Sequence, residues 1–180
     1  MVVSMNRKSG KGLSDGVVSE LTVMLTVRPG HEEPLRAACK RFMDVVRDTD
    51  ARATQKTGLR DARLVLFDDD RRLLLATNYE TDWDQYAHDL LMVFGVDTLA
   101  DVLQHVDGFD RQAVDGSGAF LQVQQVQATS YWNGLSDKTV PEIRKALRLE
   151  EAFQQVLDDP AAVQALQHPA LKPLLYQAAD

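Results

Sequence analysis

Two strand-like segments, residues 62–67 and 73–79, follow one another in the middle of the chain, with only Asp68-Asp69-Asp70-Arg71 between them. Both segments are rich in apolar residues, and the acidic residues between them are of the kind found in turns. This pattern predicts an antiparallel β-hairpin, and the rest of the chain has to be arranged around it.

A further strand precedes the hairpin. Residues 21–27 alternate between apolar and semi-polar side chains, and this period of two is typical of a strand whose two faces meet different surroundings. Pro29-Gly30 then turns the chain, and apolar residues at helical spacing between Leu35 and Val46 predict an amphipathic helix. The polar residues 48–61 predict a loop.

The second half of the chain also contains helix-like and strand-like segments. Residues 83–94 and 96–106 carry helical apolar stripes, and a short amphipathic segment near 120–126 favours a helix. Residues 128–132 are rich in β-favouring side chains and predict a fourth strand. A capping box at 139–142 opens a helix that is expected to end near Asp158, before a proline.

These elements predict one α+β domain with the order β-α-β-β-α-α-β-α, in which a four-stranded antiparallel sheet carries helices on one face. The length of 180 residues suits a single domain. The predicted boundaries are a flexible tail at 1–19, the domain at 20–158 and a C-terminal arm at 159–180.

Composition excludes some classes of partner. The formal net charge of -7 disfavours nucleic acid, whose phosphates reward a basic surface. No apolar run reaches the roughly 20 residues that a membrane span requires. A single cysteine, Cys39, forms no internal disulfide, and its place on a helical apolar stripe predicts a buried structural thiol. Because residues 1–19 contain no signal-peptide core, we expect a cytoplasmic protein.

Six segments of the chain carry a family resemblance: residues 27–30, 62–66, 77–86, 105–109, 131–132 and 139–144. Through these segments the sequence resembles an uncharacterised bacterial domain group. The order of elements is similar to that of the ferredoxin-like, dimeric α+β barrel superfamily, to which that group belongs.

The superfamily includes cofactor-free monooxygenases, together with the haem-binding chlorite dismutases and dye-decolourising peroxidases. The resemblance therefore implies a small-molecule-binding protein with an apolar pocket between sheet and helices, and an oxidoreductase using haem or molecular oxygen is one form of it. The chain is too short for the two ferredoxin-like halves of the peroxidases. The alternative is a non-catalytic, dimeric interaction or structural module, so whether the chain is an enzyme stays open and no catalytic residue is assigned.

Histidines are the first candidates for a ligand site. His105 lies about 100° off the apolar stripe of its helix, which suits either a helix surface or the mouth of a sheet cavity. If haem binds, His105 is the expected axial ligand. His31, His88 and His168 have no second ligand type at helical spacing, so no metal site is predicted.

Residues at strand ends are further candidates. Asn78 and Tyr79 close the third strand and point to opposite faces, so that either packing or ligand binding is open to them. Tyr131 and Trp132 alternate in the same way on the predicted fourth strand, with one towards the helices and the other on the open sheet face.

Two charged residues interrupt apolar patterns. Arg63 shares a strand face with Val65 and Phe67. It lies either in solvent on an edge strand or in a cavity or interface, where it needs a carboxylate partner. Glu150 falls within the stripe of the last long helix, where it either reaches water or pairs with a cation such as Arg63.

The semi-polar face of the sheet has no helix to cover it in this arrangement. An uncovered sheet face is usually occupied, so we expect a homodimer that buries it.

Overall fold

The computed structural model describes residues 12–111 and 117–178. The chain forms two compact units, Met1–Val140 and Pro141–Asp180. Among the described residues, no helix is both long and apolar enough to cross a membrane.

The first unit is built on a four-stranded antiparallel sheet whose strand order is β1-β2-β4-β3. Its strands are β1 (Ser14–Asp15), β2 (Val18–Thr26), β3 (Leu59–Phe67) and β4 (Arg72–Tyr79). The hairpin β3-β4 places β4 beside β2, so the first long strand lies next to the third, as in ferredoxin-like folds. The predicted α+β class and four-stranded antiparallel sheet are therefore confirmed.

Helices lie along one face of this sheet. The helices of the first unit are α1 (Glu32–Asp48), α2 (Ala51–Lys56), α3 (Trp83–Phe94), α4 (Val96–Leu103) and α5 (Ser117–Val123). Their apolar residues form the core with the odd-numbered positions of β2, among them Leu21, Val23 and Leu25. Cys39 lies half-buried on α1, where burial raises the pKa of its thiol to about 11.

The strand register separates the two faces of the sheet. Leu25 and Leu66 both pair with Leu73 on the helix side, where Leu73 is completely buried. The next row, in which Met24 and Val65 pair with Leu74, points to the other side. We call this second side the open face, because no helix of the first unit forms part of it.

Three local predictions differ from the structure. The predicted loop at 48–61 contains α2 and the start of β3. Strands β1 and β2 begin at Ser14 and Val18, inside the segment predicted to be a flexible tail, of which residues 1–11 lie outside the described residues. The predicted fourth strand at 128–132 is not a strand, and the fourth strand of the sheet is β1.

The third difference is explained by the edge of β2 that does not pair with β4. Gln125 forms an isolated bridge with Val23, and the Val126 amide donates to the Thr22 carbonyl at 2.8 Å. Continuing this pairing would bring residues 128–130 against Glu20 and the residues before it. That part of the edge is already occupied, because residues 12–15 pair with it, including a 3.0 Å bond from the Glu20 amide to Leu13.

Residues 126–140 therefore leave the edge of β2 and run along the open face, and we call them the strap. The strap leads into α6 (Val140–Leu157), with which the second unit begins. After α6 come the short helices α7 (Val163–Leu166) and α8 (Lys172–Gln177). Each is preceded by a turn of 3₁₀-helix that starts at a proline, Pro160 and Pro169.

Candidate functional site

The pocket expected between sheet and helices is nearly filled. The cavity there is lined by apolar side chains such as Leu21, Phe42 and Leu91, and its volume is about 40 Å³. A single water requires roughly 10–15 Å³ on this kind of measure, so the cavity has room for a few waters at most. Its lining includes the hydroxyls of Thr77 and Tyr86, which lie 2.8 Å apart and bond to each other. This side of the sheet is core.

A larger concavity lies on the open face, beneath the strap, and we call it the sheet-face groove. Its volume is about 360 Å³, within the range of about 300–1,000 Å³ that small-molecule sites occupy. The residues that line it from the sheet and from the strap are Glu20, Leu21, Thr22, Arg63, Ala76, Thr77, Asn78, Ala128, Ser130, Tyr131 and Trp132.

The strap has anchors at both ends. The anchor at its far end is an ion pair between Arg60 and Glu80, whose Nε and Oε1 atoms lie 2.7 Å apart. The two side chains are only 9% and 6% exposed, so the ion pair is buried. The Glu80 carboxylate also accepts the Val140 amide at 2.6 Å. The Arg60 guanidinium donates to the Asn133 side chain and to the Leu135 and Lys138 carbonyls. A buried charge pair has to satisfy its remaining donors and acceptors, and the strap backbone satisfies them here.

The hairpin β1-β2 holds the same part of the strap from the other edge. The Asn133 amide donates to the Asp15 carboxylate at 2.9 Å, and the Val17 amide donates to the Ser136 carbonyl at 2.8 Å. The turn between β1 and β2 needs Gly16, which has a φ of +57° and on which a Cβ would overlap the Ser136 carbonyl.

Between its anchors the strap is loosely held. Within the described part of the chain, residues 127–132 make no backbone–backbone hydrogen bond. Their part of the groove wall can therefore move without breaking backbone hydrogen bonds, whereas the segment 133–140 cannot.

Four of the candidates from sequence come together in the groove. Arg63 and Asn78 rise from neighbouring strands of the open face, and Tyr131 and Trp132 come from the strap. The Asn78 amide donates to the Asp61 carboxylate at 2.6 Å. Burial raises the pKa of the Tyr131 phenol. The expectation that one of Tyr131 and Trp132 faces the helices is wrong, because residues 128–132 are not a strand and both side chains line the groove.

Tyr79 is on the opposite side of the sheet, as its alternation with Asn78 predicted. Its ring is completely buried and stacks on Tyr86 with centroids 4.4 Å apart, while Trp83 packs edge-on at 6.1 Å. Burial raises the pKa of the Tyr79 phenol. Tyr79 therefore belongs to the core and not to the groove.

His105 belongs to a separate cluster. Its Nδ1 lies 3.0 Å from Nδ1 of His31, which joins the start of α1 to the turn after α4. The ring centroids are 5.2 Å apart, so the two nitrogens point almost at each other, as in a hydrogen bond. His105 is 9% exposed, and burial, followed by the neighbouring His31, lowers its pKa.

The two cavities described above do not fit a haem held by His105. His105 lines neither the core cavity nor the groove, and the core cavity, at about 40 Å³, is far too small for a porphyrin. The haem hypothesis for His105 therefore has no support from these cavities. No cluster of three or more metal-ligating side chains occurs among the residues that the structure describes.

Glu150 lies on α6 and is exposed. This exposed position agrees with the first of the two predicted environments, in which the Glu150 carboxylate reaches water.

Sequence reasoning missed Glu20, Arg60 and Glu80. Glu20 is 4% exposed, and its two carboxylate oxygens accept the Leu13 amide and the Thr22 hydroxyl. A charged residue within an otherwise apolar strand was the available signal, and it applied to Glu20 as well as to Arg63.

Comparisons with known proteins give little further information. No protein-family model and no curated protein matches the chain. A solved structure described as a candidate antibiotic biosynthesis monooxygenase from Nitrosomonas europaea is similar at 13% identity, with a TM-score of 0.40 over 54% of this chain and 86% of that one.

The anchoring role of Arg60 predicts a large loss of stability on replacement. Arg60→Met leaves the Glu80 carboxylate buried without its cation, which costs about 3–5 kcal/mol. Arg63→Met, on the same strand, removes an exposed guanidinium and should change stability by no more than about 0.5 kcal/mol. Urea unfolding of both variants measures the difference, and equal effects would contradict a buried, strap-holding ion pair.

The histidine pair predicts loss of stability in acid. Because the folded pKa of His105 is lowered, the unfolded chain, with a pKa of about 6.5, binds the proton more readily. Stability should therefore fall as the pH drops from about 7.5 through 6.5, and less so in His105→Gln.

The matched control is His88→Gln, since His88 is exposed on α3. The measurement is the change in urea midpoint between pH 7.5 and 5.5. An equal change in all three proteins would show that the His31–His105 pair does not carry the acid sensitivity.

Proposed function

We propose that this protein binds a small molecule containing a flat ring in the sheet-face groove. The observation that carries the proposal is the convergence of Arg63, Asn78, Tyr131 and Trp132 on one concavity of about 360 Å³. Aromatic side chains with a few polar groups at fixed positions are the usual lining of such sites.

The environment of Trp132 supports a ring-shaped ligand. Its side chain is 81% exposed, and it packs over the backbone of Gly134. An indole this exposed at the rim of a groove offers a face on which another ring can stack. The loosely held residues 127–132 allow that face to close over a ligand.

Binding, and not a reaction, is the function that the groove supports best. Its carboxylate, Glu20, is held by two hydrogen bonds, and burial raises the pKa of Tyr131, which keeps the phenol protonated. Oxidoreductase chemistry is the finer hypothesis from the superfamily resemblance, and oxygen uptake in the presence of a bound ligand is the assay for it.

A second proposal concerns the part of the open face that the groove does not use. Val65, with Leu74 and Met24 in the same row, forms an apolar strip in which Val65 is 41% exposed. We propose that a second copy of the chain covers this strip, which would make the protein a homodimer.

The groove predicts that ring binding depends on Trp132. For the neutral probe 2-naphthamide, Trp132→Ala should weaken binding about tenfold, because an aromatic pair contributes about 0.5–1.5 kcal/mol beyond the area it buries. The control is Tyr176→Ala, which removes another exposed aromatic ring. Calorimetric titration measures both, and an unchanged affinity in Trp132→Ala would remove the groove as the site.

The apolar strip predicts dimerisation that a charge disrupts. Light scattering should show a dimer at micromolar concentration, and Val65→Lys should convert it to a monomer. Val45→Lys adds the same charge on α1, at a valine of similar exposure, and should stay dimeric. A monomeric wild-type protein at this concentration would remove the proposal.

A further inference from the structure

The charges that line the groove restrict the class of ligand. Arg63 is the only guanidinium or ammonium group among the lining residues, and it is exposed. Within residues 12–111 and 117–178 it makes no ion pair and no hydrogen bond. Arg60, three residues earlier on the same strand, is buried with its donors occupied by Glu80 and the strap.

Two carboxylates of the open face, Glu20 and Asp61, accept hydrogen bonds from groups other than Arg63. Glu20 lines the groove, but it is buried and both of its oxygens accept hydrogen bonds, from Leu13 and Thr22. Asp61 lies two residues before Arg63 on the same strand face and accepts the Asn78 amide. The Arg63 guanidinium therefore has no ion-pair partner among the described residues, and the two carboxylates bond to neutral donors instead.

A guanidinium presents paired N–H donors in a planar fork that matches the two oxygens of a carboxylate. The rings of Tyr131 and Trp132 line the same concavity from the strap side. A molecule lying between them would present its anionic group to the sheet and its ring to the strap.

We infer that the ligand of the sheet-face groove is a small aromatic carboxylate, whose anionic group is held by Arg63 and whose ring lies against Tyr131 and Trp132. This inference rests on the proposed function, since it assigns the chemical class of the molecule bound at that same site. The net charge of -7 repels anions in general, so selective binding of one requires a local cation.

The test compares three probes that share one ring system: 2-naphthoate, the neutral 2-naphthamide and the cationic 2-naphthylmethylammonium. Their dissociation constants are measured by calorimetry at low ionic strength, where charge effects are least screened. The wild-type protein should bind the carboxylate at least about tenfold more tightly than the amide. The ammonium probe should bind most weakly.

Variants of Arg63 identify the group responsible. Arg63→Gln should bring the carboxylate-to-amide affinity ratio close to one, and Arg63→Lys should restore part of it, because the charge returns without the planar fork. Arg72→Gln is the matched control, since Arg72 pairs with Phe67, four residues along the strand from Arg63, and does not line the groove. It should leave the ratio unchanged.

The outcomes separate the two proposals. If the carboxylate and the amide bind equally well, or if Arg63→Gln keeps the ratio, the anion assignment is wrong while ring binding in the groove stands. If none of the three probes binds, or if Trp132→Ala binds them with unchanged affinity, the groove is not the ligand site and both proposals are wrong.

Discussion

The buried ion pair between Arg60 and Glu80 is the contact on which the architecture of the open face depends. Both side chains lie at one end of the sheet, and both are almost fully withdrawn from water. Removing two charges from water is costly unless every remaining donor and acceptor is satisfied. The strap satisfies them with carbonyls of residues 135 and 138 and the Val140 amide, so the ion pair and the path of the strap require each other. The groove exists because this requirement keeps the strap over the open face.

The two faces of the sheet differ in how completely side chains fill the space beside them. Side-chain volume therefore decides which face has room for a ligand. On the helix side, leucines and aromatic rings fill the space to within a cavity of about 40 Å³. On the open face, short or polar side chains such as Thr22, Ala76 and Asn78 leave a concavity of about 360 Å³. The strap covers one end of this face and leaves the strip around Val65 exposed. The proposed ligand and the proposed partner copy would therefore use different residues of the same face.

Periodicity in the sequence predicts most of the fold, because apolar alternation and helical stripes depend only on residues that are close together in the sequence. The three long strands and α1, α3 and α4 follow from it. The strap does not, since residues 128–132 favour strand conformation, but the edge of β2 on which they would pair is occupied by residues 12–15. The same holds for the site: Arg63 is visible as a charge in an apolar strand, whereas the pairing of His31 with His105 joins residues 74 positions apart and has no local signal.

Hydrogen exchange along the strap tests this account most directly. The amides of Val126 and Val140, which donate to Thr22 and Glu80, should be protected in the free protein, while those of residues 127–132 exchange fast. Saturating 2-naphthamide should slow exchange in residues 127–132 and leave the two anchors nearly unchanged. The account is contradicted if residues 127–132 are already protected without ligand, as a regular strand would be, or if the bound probe leaves their exchange unchanged.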